Sequence, residues 1–150
     1  MNLKEKINED LKAAMKSGEK LKLETVRSIR ALILEFEKSG VGREINADDE
    51  IKMLSSAVKK RKDAIEQYRN AGRPELADKE EAEMKIIMEY LPKQLAENEV
   101  EDIAKKIALE IDAKEKKDFG RLMPAVVKEL KGKADGKLIK AIVEKLLGIS

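Results

Sequence analysis

Apolar residues recur at three- and four-residue intervals along almost the whole chain, and strand-like alternation is missing. The first apolar stripe steps by four through Leu3, Ile7, Leu11 and Met15, and Gly18 follows it as a residue that commonly ends helices. Because this spacing places one apolar face on each helix, the pattern predicts an all-α protein.

Capping residues divide the following stretch into three more helices. A second stripe covers residues 23–36 and stops at the Gly-Val-Gly segment 40–42. Asn46 is a favourable N-cap for a long third helix that should end near Gly72. Pro74 then suits the first turn of a fourth helix, where its missing N–H costs nothing.

A proline marks the main boundary, because proline disfavours helix at the residue before it, here Leu91. We predict an N-terminal helical domain of about four helices over residues 1–92. A C-terminal three-helix bundle should follow over residues 93–150. Pro124 falls inside the middle helix of that bundle, which should lose a backbone hydrogen bond there.

The composition excludes several kinds of chemistry. Charged residues make up 41% of the chain, aromatic residues only 3%, and there is no His and no Cys. A thiol nucleophile, an imidazole base and a usual zinc site are therefore excluded, and we assign no catalytic residue, no metal and no cofactor. The first 15 residues lack the apolar run of a signal peptide, and no segment is apolar enough to cross a membrane. We expect a cytoplasmic protein without a membrane partner.

Positive charge is concentrated near the C-terminus, although the net charge is only +2. Residues 1–92 hold equal numbers of basic and acidic side chains, and residues 93–113 carry a net charge of −3. Residues 114–150 hold ten basic and five acidic side chains, a net charge of +5. Any site for a polyanion should therefore lie on the last two helices.

Helical spacing organises these charges. Arg121, Lys128 and Lys131 are separated by seven and three residues and should share one face. Lys137 and Lys140 should lie opposite the apolar stripe of the last helix. The residues that we predict to bind a polyanion are Arg121, Lys128, Lys131, Gly132, Lys133, Asp135, Gly136, Lys137 and Lys140.

The turn between these helices has its own chemistry. Gly132 can supply the left-handed residue that ends one helix, and Asp135 can cap the next. A helix N-terminus offers free N–H groups that suit phosphate, and Gly136 allows close approach. A plain helix–turn–helix corner explains the same pattern, so spacing alone leaves both interpretations open. A DNA reader is disfavoured, because the last helix lacks the Asn, Gln and Arg that read bases.

A second basic run, Lys59-Lys60-Arg61-Lys62, lies on the predicted third helix. Four consecutive residues wrap around a helix instead of forming a stripe, and acidic residues follow at once. The run is more typical of a solvated helix surface than of a nucleic-acid contact.

Two segments resemble the GatB/YqeY family. They are "KGKADGKLIKAIVEKLL", residues 131–147, and "GRPELADKEEAEMKIIMEYLPKQL", residues 72–95. The opening "LKEKINEDLKAAMKSGEKLKLETVRSIRALI" is similar to that of free-standing YqeY proteins, so the resemblance covers essentially the whole chain. It implies an all-helical fold in two parts, related to the tail of GatB, a component of the aspartyl/glutamyl-tRNA amidotransferase.

The resemblance also implies a function in translation. In that family the C-terminal bundle contacts tRNA, so Lys131, Lys133 and Lys137 become candidates for phosphate contacts. The catalytic body of GatB is missing from the sequence, so the glutamine-dependent carbon–nitrogen ligase activity is not assigned to this chain alone. The alternative is a helical adaptor or accessory subunit that docks on an amidotransferase or a synthetase. Its exposed face would be the third helix, "KKRKDAIEQYRNAG".

Overall fold

The computed structural model describes residues 1–149, and within that range it contains helices and no strand. The all-α prediction is confirmed. The α-helices are α1 (Leu3–Ser17), α2 (Lys20–Lys38), α3 (Ala47–Asn70), α4 (Pro74–Met88), α5 (Glu97–Glu110), α6 (Phe119–Glu129) and α7 (Gly136–Leu146). A short 3-10 helix, Lys116–Asp118, immediately precedes α6.

The helix boundaries follow local capping chemistry. Gly18 ends α1 in the left-handed conformation, with a φ of +74°, and donates its N–H to the Ala14 carbonyl. At the start of α3 the Asn46 side chain accepts the Asp49 N–H at 2.9 Å, and the Asp49 carboxylate accepts the Asn46 N–H at 3.1 Å. Pro74 is the first residue of α4. All three predicted boundary residues therefore act as expected.

The chain divides into two compact units, residues 1–91 and the residues from Pro92 onward. In the first unit α1 packs on α2, α3 packs on α4, and α2 contacts α4. Ion pairs join α3 to α4, with Arg61 Nε 3.3 Å from Glu83 and Arg69 Nη2 2.8 Å from Glu81. The largest buried side chains of this unit are Ile7, Val26, Ile29, Ile33, Leu54 and Ile87.

The apolar stripe of α1 rotates away from the core toward its C-terminal end. Leu3 and Ile7 are buried, but Met15 is 59% exposed, and Ala14 takes the core position instead. A four-residue step overshoots one helical turn by about 40°, so three such steps turn the row by about 120°. The expectation that Met15 belongs to the buried stripe is therefore wrong.

Tyr90, just after α4, ties the C-terminal end of that helix to α1. Its hydroxyl donates to Asp10 Oδ2 at 2.5 Å, and the Lys6 ammonium lies 5.4 Å from the ring centroid. Burial, followed by the bond to the Asp10 carboxylate, raises the pKa of Tyr90 above its ordinary value. The hydroxyl therefore remains a donor throughout the neutral range.

In the second unit α5, α6 and α7 pack on one another around their own core. α6 continues through Pro124, which lacks the N–H that would bond to the carbonyl four residues earlier. The buried core of this unit consists of Val100, Ala104, Ile107, Ala113, Leu122, Val126, Leu130, Ile139, Ile142, Val143 and Leu147.

Candidate nucleic-acid interface

Most of the predicted site residues lie in the turn between α6 and α7 or in the adjoining ends of these two helices. We call residues 128–140 the basic corner: it comprises the end of α6, the turn and the first part of α7. Lys128, Lys131, Lys133, Lys137 and Lys140 are all exposed. Because α6 ends at Glu129, Lys131 belongs to the turn and not to the helical face that spacing predicted.

Gly132 and Asp135 shape the turn as the sequence predicted. Gly132 has a φ of +76°, a conformation that side-chain-bearing residues rarely adopt. The Asp135 carboxylate accepts the Lys137 N–H at 3.1 Å and so caps α7. Gly136 is different, because its φ is not positive and an added Cβ would meet no atom within 4 Å. The fold itself therefore gives no steric reason for glycine at position 136.

Residues before α5 hold the carbonyl groups of the turn, a feature that helical spacing and charge do not reveal. Gln94 Nε2 donates to the Gly132 carbonyl at 2.6 Å and to the Pro92 carbonyl at 2.9 Å. The Leu95 N–H donates to the Lys133 carbonyl at 2.8 Å. The only signal in the sequence was the presence of Gln94 and Leu95 in one of the two family-like segments.

Three lysines of the basic corner have no carboxylate partner in the described part of the chain. Lys128, Lys133 and Lys137 form no ion pair within residues 1–149. Lys140 Nζ lies 3.8 Å from Glu144 one turn later, an exposed pair of the kind that contributes little. With the Gly132 and Lys133 carbonyls already bonded, the corner offers an anion mainly ammonium groups and N–H donors.

Lys137 occupies a position that local helix physics disfavours. It is the second residue of α7, and the first turn of that helix contains no acidic residue. The positive end of the helix dipole prefers acidic side chains, by about 0.3–1 kcal/mol each. The helix dipole therefore gives no structural reason for a cation at position 137.

Arg121 lies apart from the basic corner, in the first turn of α6. Its guanidinium donates to Asp118 Oδ1 at 2.7 Å and to the Ile111 carbonyl at 3.0 Å. Asp118 Oδ2 also accepts the N–H groups of Lys114 and Glu115, each at 3.0 Å. The guanidinium, followed by these N–H groups, holds the pKa of Asp118 well below its ordinary value. Arg121 thus serves the local fold, and its contact with a polyanion remains a prediction.

Neither a metal-binding cluster nor a membrane-spanning helix is found in the described part of the chain. Within residues 1–149, His, Cys, Asp and Glu form no group of three or more that could hold a metal ion. None of the helices in that range combines the length and apolar character needed to cross a bilayer.

Comparison with known proteins supports the family resemblance. The family model described as "Yqey-like protein" matches residues 4–147. The chain is 30% identical over 129 residues to "Altered inheritance of mitochondria protein 41, mitochondrial" of Pyrenophora tritici-repentis, covering 83% of this chain and 69% of the relative. It is 36% identical over 92 residues to an uncharacterized protein of Schizosaccharomyces pombe, covering 61% and 73% respectively.

Proposed function

Because the chain belongs to the YqeY-like protein family, we propose that it is a non-catalytic protein that binds tRNA or another RNA through the basic corner. The family also includes the C-terminal tail domain of GatB. Contacts would go to phosphates, because the last helix has no Asn, Gln or Arg to read bases and the chain has only 3% aromatic residues for stacking. We assign the protein no catalytic residue, no cofactor and no metal, and its cytoplasmic location remains a prediction.

The observation that carries this proposal is the direction of the turn's carbonyl groups. A peptide carbonyl that pointed outward at Gly132 or Lys133 would repel a phosphate. Both carbonyls are occupied by donors from Gln94 and Leu95. The lysines on either side remain exposed, and the N-terminus of α7 lies beside them. The local potential of the corner is therefore positive although the protein is nearly neutral overall.

Salt dependence provides the first test. Wild-type protein is titrated against fluorescently labelled, unfractionated tRNA at several KCl concentrations. If four of the five lysines of the basic corner each displace the counterion of one phosphate, the plot of log K against log salt should have a slope of about −3. Absence of saturable binding at low salt, or a slope close to zero, would contradict the proposal.

Gly136 offers a test that separates binding from folding. Gly136→Ala should leave the melting temperature unchanged or slightly higher, because the added methyl group meets open space. It should weaken tRNA binding about three- to tenfold by keeping a phosphate away from the N–H groups of α7. The matched control is Gly120→Ala in α6, another helical glycine with open space around it. Equal affinity of the Gly136 variant and wild type would show that binding does not depend on close approach of a phosphate to the N–H groups of α7.

The adaptor role is the second candidate, and α3 is the surface it would use. On that helix Arg61 and Arg69 already pair with carboxylates of α4. Lys59, Lys60 and Glu66 remain exposed, a mixed-charge face without a large apolar side chain. Such a face resembles a solvated surface more than the centre of a protein interface. Recovery of a stoichiometric amidotransferase or synthetase that survives nuclease treatment would favour this candidate.

A further inference from the structure

The segment before α5 folds onto the basic corner through a small set of hydrogen bonds. The Gln94 amide group uses both of its N–H donors, one toward Pro92 and one toward Gly132. The next residue, Leu95, adds a backbone bond to Lys133 and packs its side chain against the core of the second unit. The Gln94 side chain is thereby held on one side by the backbone just before it and on the other by the turn.

The bond to Gly132 determines which way one particular peptide group faces. Gly132 lies between Lys131 and Lys133, and glycine has no Cβ to restrict rotation of the adjoining peptide planes. Gly132 precedes α7, so its carbonyl accepts no hydrogen bond within that helix. At 2.6 Å the Gln94 amide supplies that restraint from a residue 38 positions away.

We propose that Gln94 is a positioning residue for the anion site of the basic corner. It acts through the Gly132 carbonyl and does not itself touch RNA. By keeping that carbonyl turned inward, Gln94 removes a negative partial charge from the place where a phosphate would bind. It also limits the rotation of the backbone that carries Lys131 and Lys133. The inference rests on the proposed function of the corner and adds a residue that charge and spacing do not identify.

The test is Gln94→Met, which keeps the length of the side chain and removes both donors. Unfractionated tRNA is the probe, and affinity is measured with full-length protein over a range of KCl concentrations. We expect affinity to fall about five- to tenfold and the salt slope to become shallower by about one phosphate contact, or roughly 0.7 to 0.9. Hydrogen exchange at the Leu95 N–H should accelerate, because the turn that holds its acceptor is loosened.

The salt slope distinguishes positioning from a general loss of stability. Partial unfolding lowers the fraction of active protein but leaves the number of phosphates per complex unchanged. Gln67→Met, at an exposed position of α3, is the matched control and should preserve both affinity and slope. Gln94→Asn retains the amide on a shorter side chain. If Gln94→Met unfolds at the assay temperature, affinity and salt slope are measured on Gln94→Asn instead.

Each outcome identifies which claim fails. Weaker binding with a shallower slope supports the role of Gln94. Wild-type affinity and slope in both Gln94 variants, or weaker binding with an unchanged slope, would overturn that role while leaving the corner itself intact. If reversing the charges of the corner lysines also leaves binding unchanged, the proposed function is wrong, and the role of Gln94 falls with it.

Discussion

Reversing the charges of Lys131, Lys133 and Lys137 to Glu is expected to reduce tRNA affinity at least about 100-fold near 0.1 M salt. Each substitution removes one phosphate contact and adds a repulsive carboxylate at the same place. The salt slope should shrink from about −3 to about −1 or shallower in the same variant, because three of the four contacts that release counterions are lost. Fluorescence anisotropy with labelled tRNA over a range of KCl measures both quantities.

The loss should not come from unfolding. All three side chains are exposed, and Lys131 and Lys133 lie in the turn outside α6 and α7. At position 137 the reversal should even favour α7, because the first turn of a helix prefers an acidic side chain. Far-UV circular dichroism should therefore match that of wild type. Preserved helicity with undiminished tRNA binding would show that the corner is not the site.

The matched control makes the same change in charge on α3. Lys59, Lys60 and Lys62 are exposed, and their reversal to Glu alters the net charge by the same amount. This variant should retain most of the tRNA affinity, because α3 carries balanced charge around its basic run. A comparable loss in both triple variants would mean that overall charge, and not the corner, governs binding.

Replacing Asp118 by Ala is expected to lower the melting temperature of the second unit by on the order of 10 °C. The substitution leaves the N–H groups of Lys114 and Glu115 without their acceptor and removes the partner of the Arg121 guanidinium. Circular dichroism follows unfolding, and hydrogen exchange of peptides from residues 111–130 assigns the change to this region. Asp102→Ala, at an exposed position of α5, should shift the melting temperature by no more than a degree or two.

The ion-pair part of this effect should depend on pH. Asp118→Asn keeps one oxygen for the two N–H groups but loses the charge that faces Arg121. The folded protein holds the pKa of Asp118 below the unfolded value of about 3.9, so the charge stabilises the fold fully at higher pH. The difference in melting temperature between wild type and this variant should be constant above about pH 5 and shrink below about pH 4. A constant difference down to pH 2 would contradict this assignment.

Local signals in the sequence were sufficient to predict the helices, but they could not predict long-range contacts. Gly18, Asn46 and Pro74 mark boundaries because capping depends on only a few neighbouring residues. The roles of Gly132 and Asp135 were predictable for the same reason. The prediction of buried side chains failed at Met15, because a four-residue step drifts around the helix.

The candidate site shows the same division. Its lysines follow from charge counts, but the contact between Gln94 and Gly132 joins residues 38 positions apart and arises only from tertiary folding. Helical spacing likewise could not predict that the Arg121 guanidinium donates to backbone carbonyls, because the acceptors lie in the preceding loop. Positions of charge could be predicted, whereas the groups that orient or occupy those charges could not.

The hydrogen bonds that hold the carbonyl groups of the basic corner come from residues after Leu91. Gln94, Leu95 and the core beneath α6 and α7 belong to the second unit. A portable module has this property: gene fusion can append it to an unrelated enzyme without rebuilding its surface. A bundle of this kind suits both a free-standing protein and the tail of a larger one, and the family contains both.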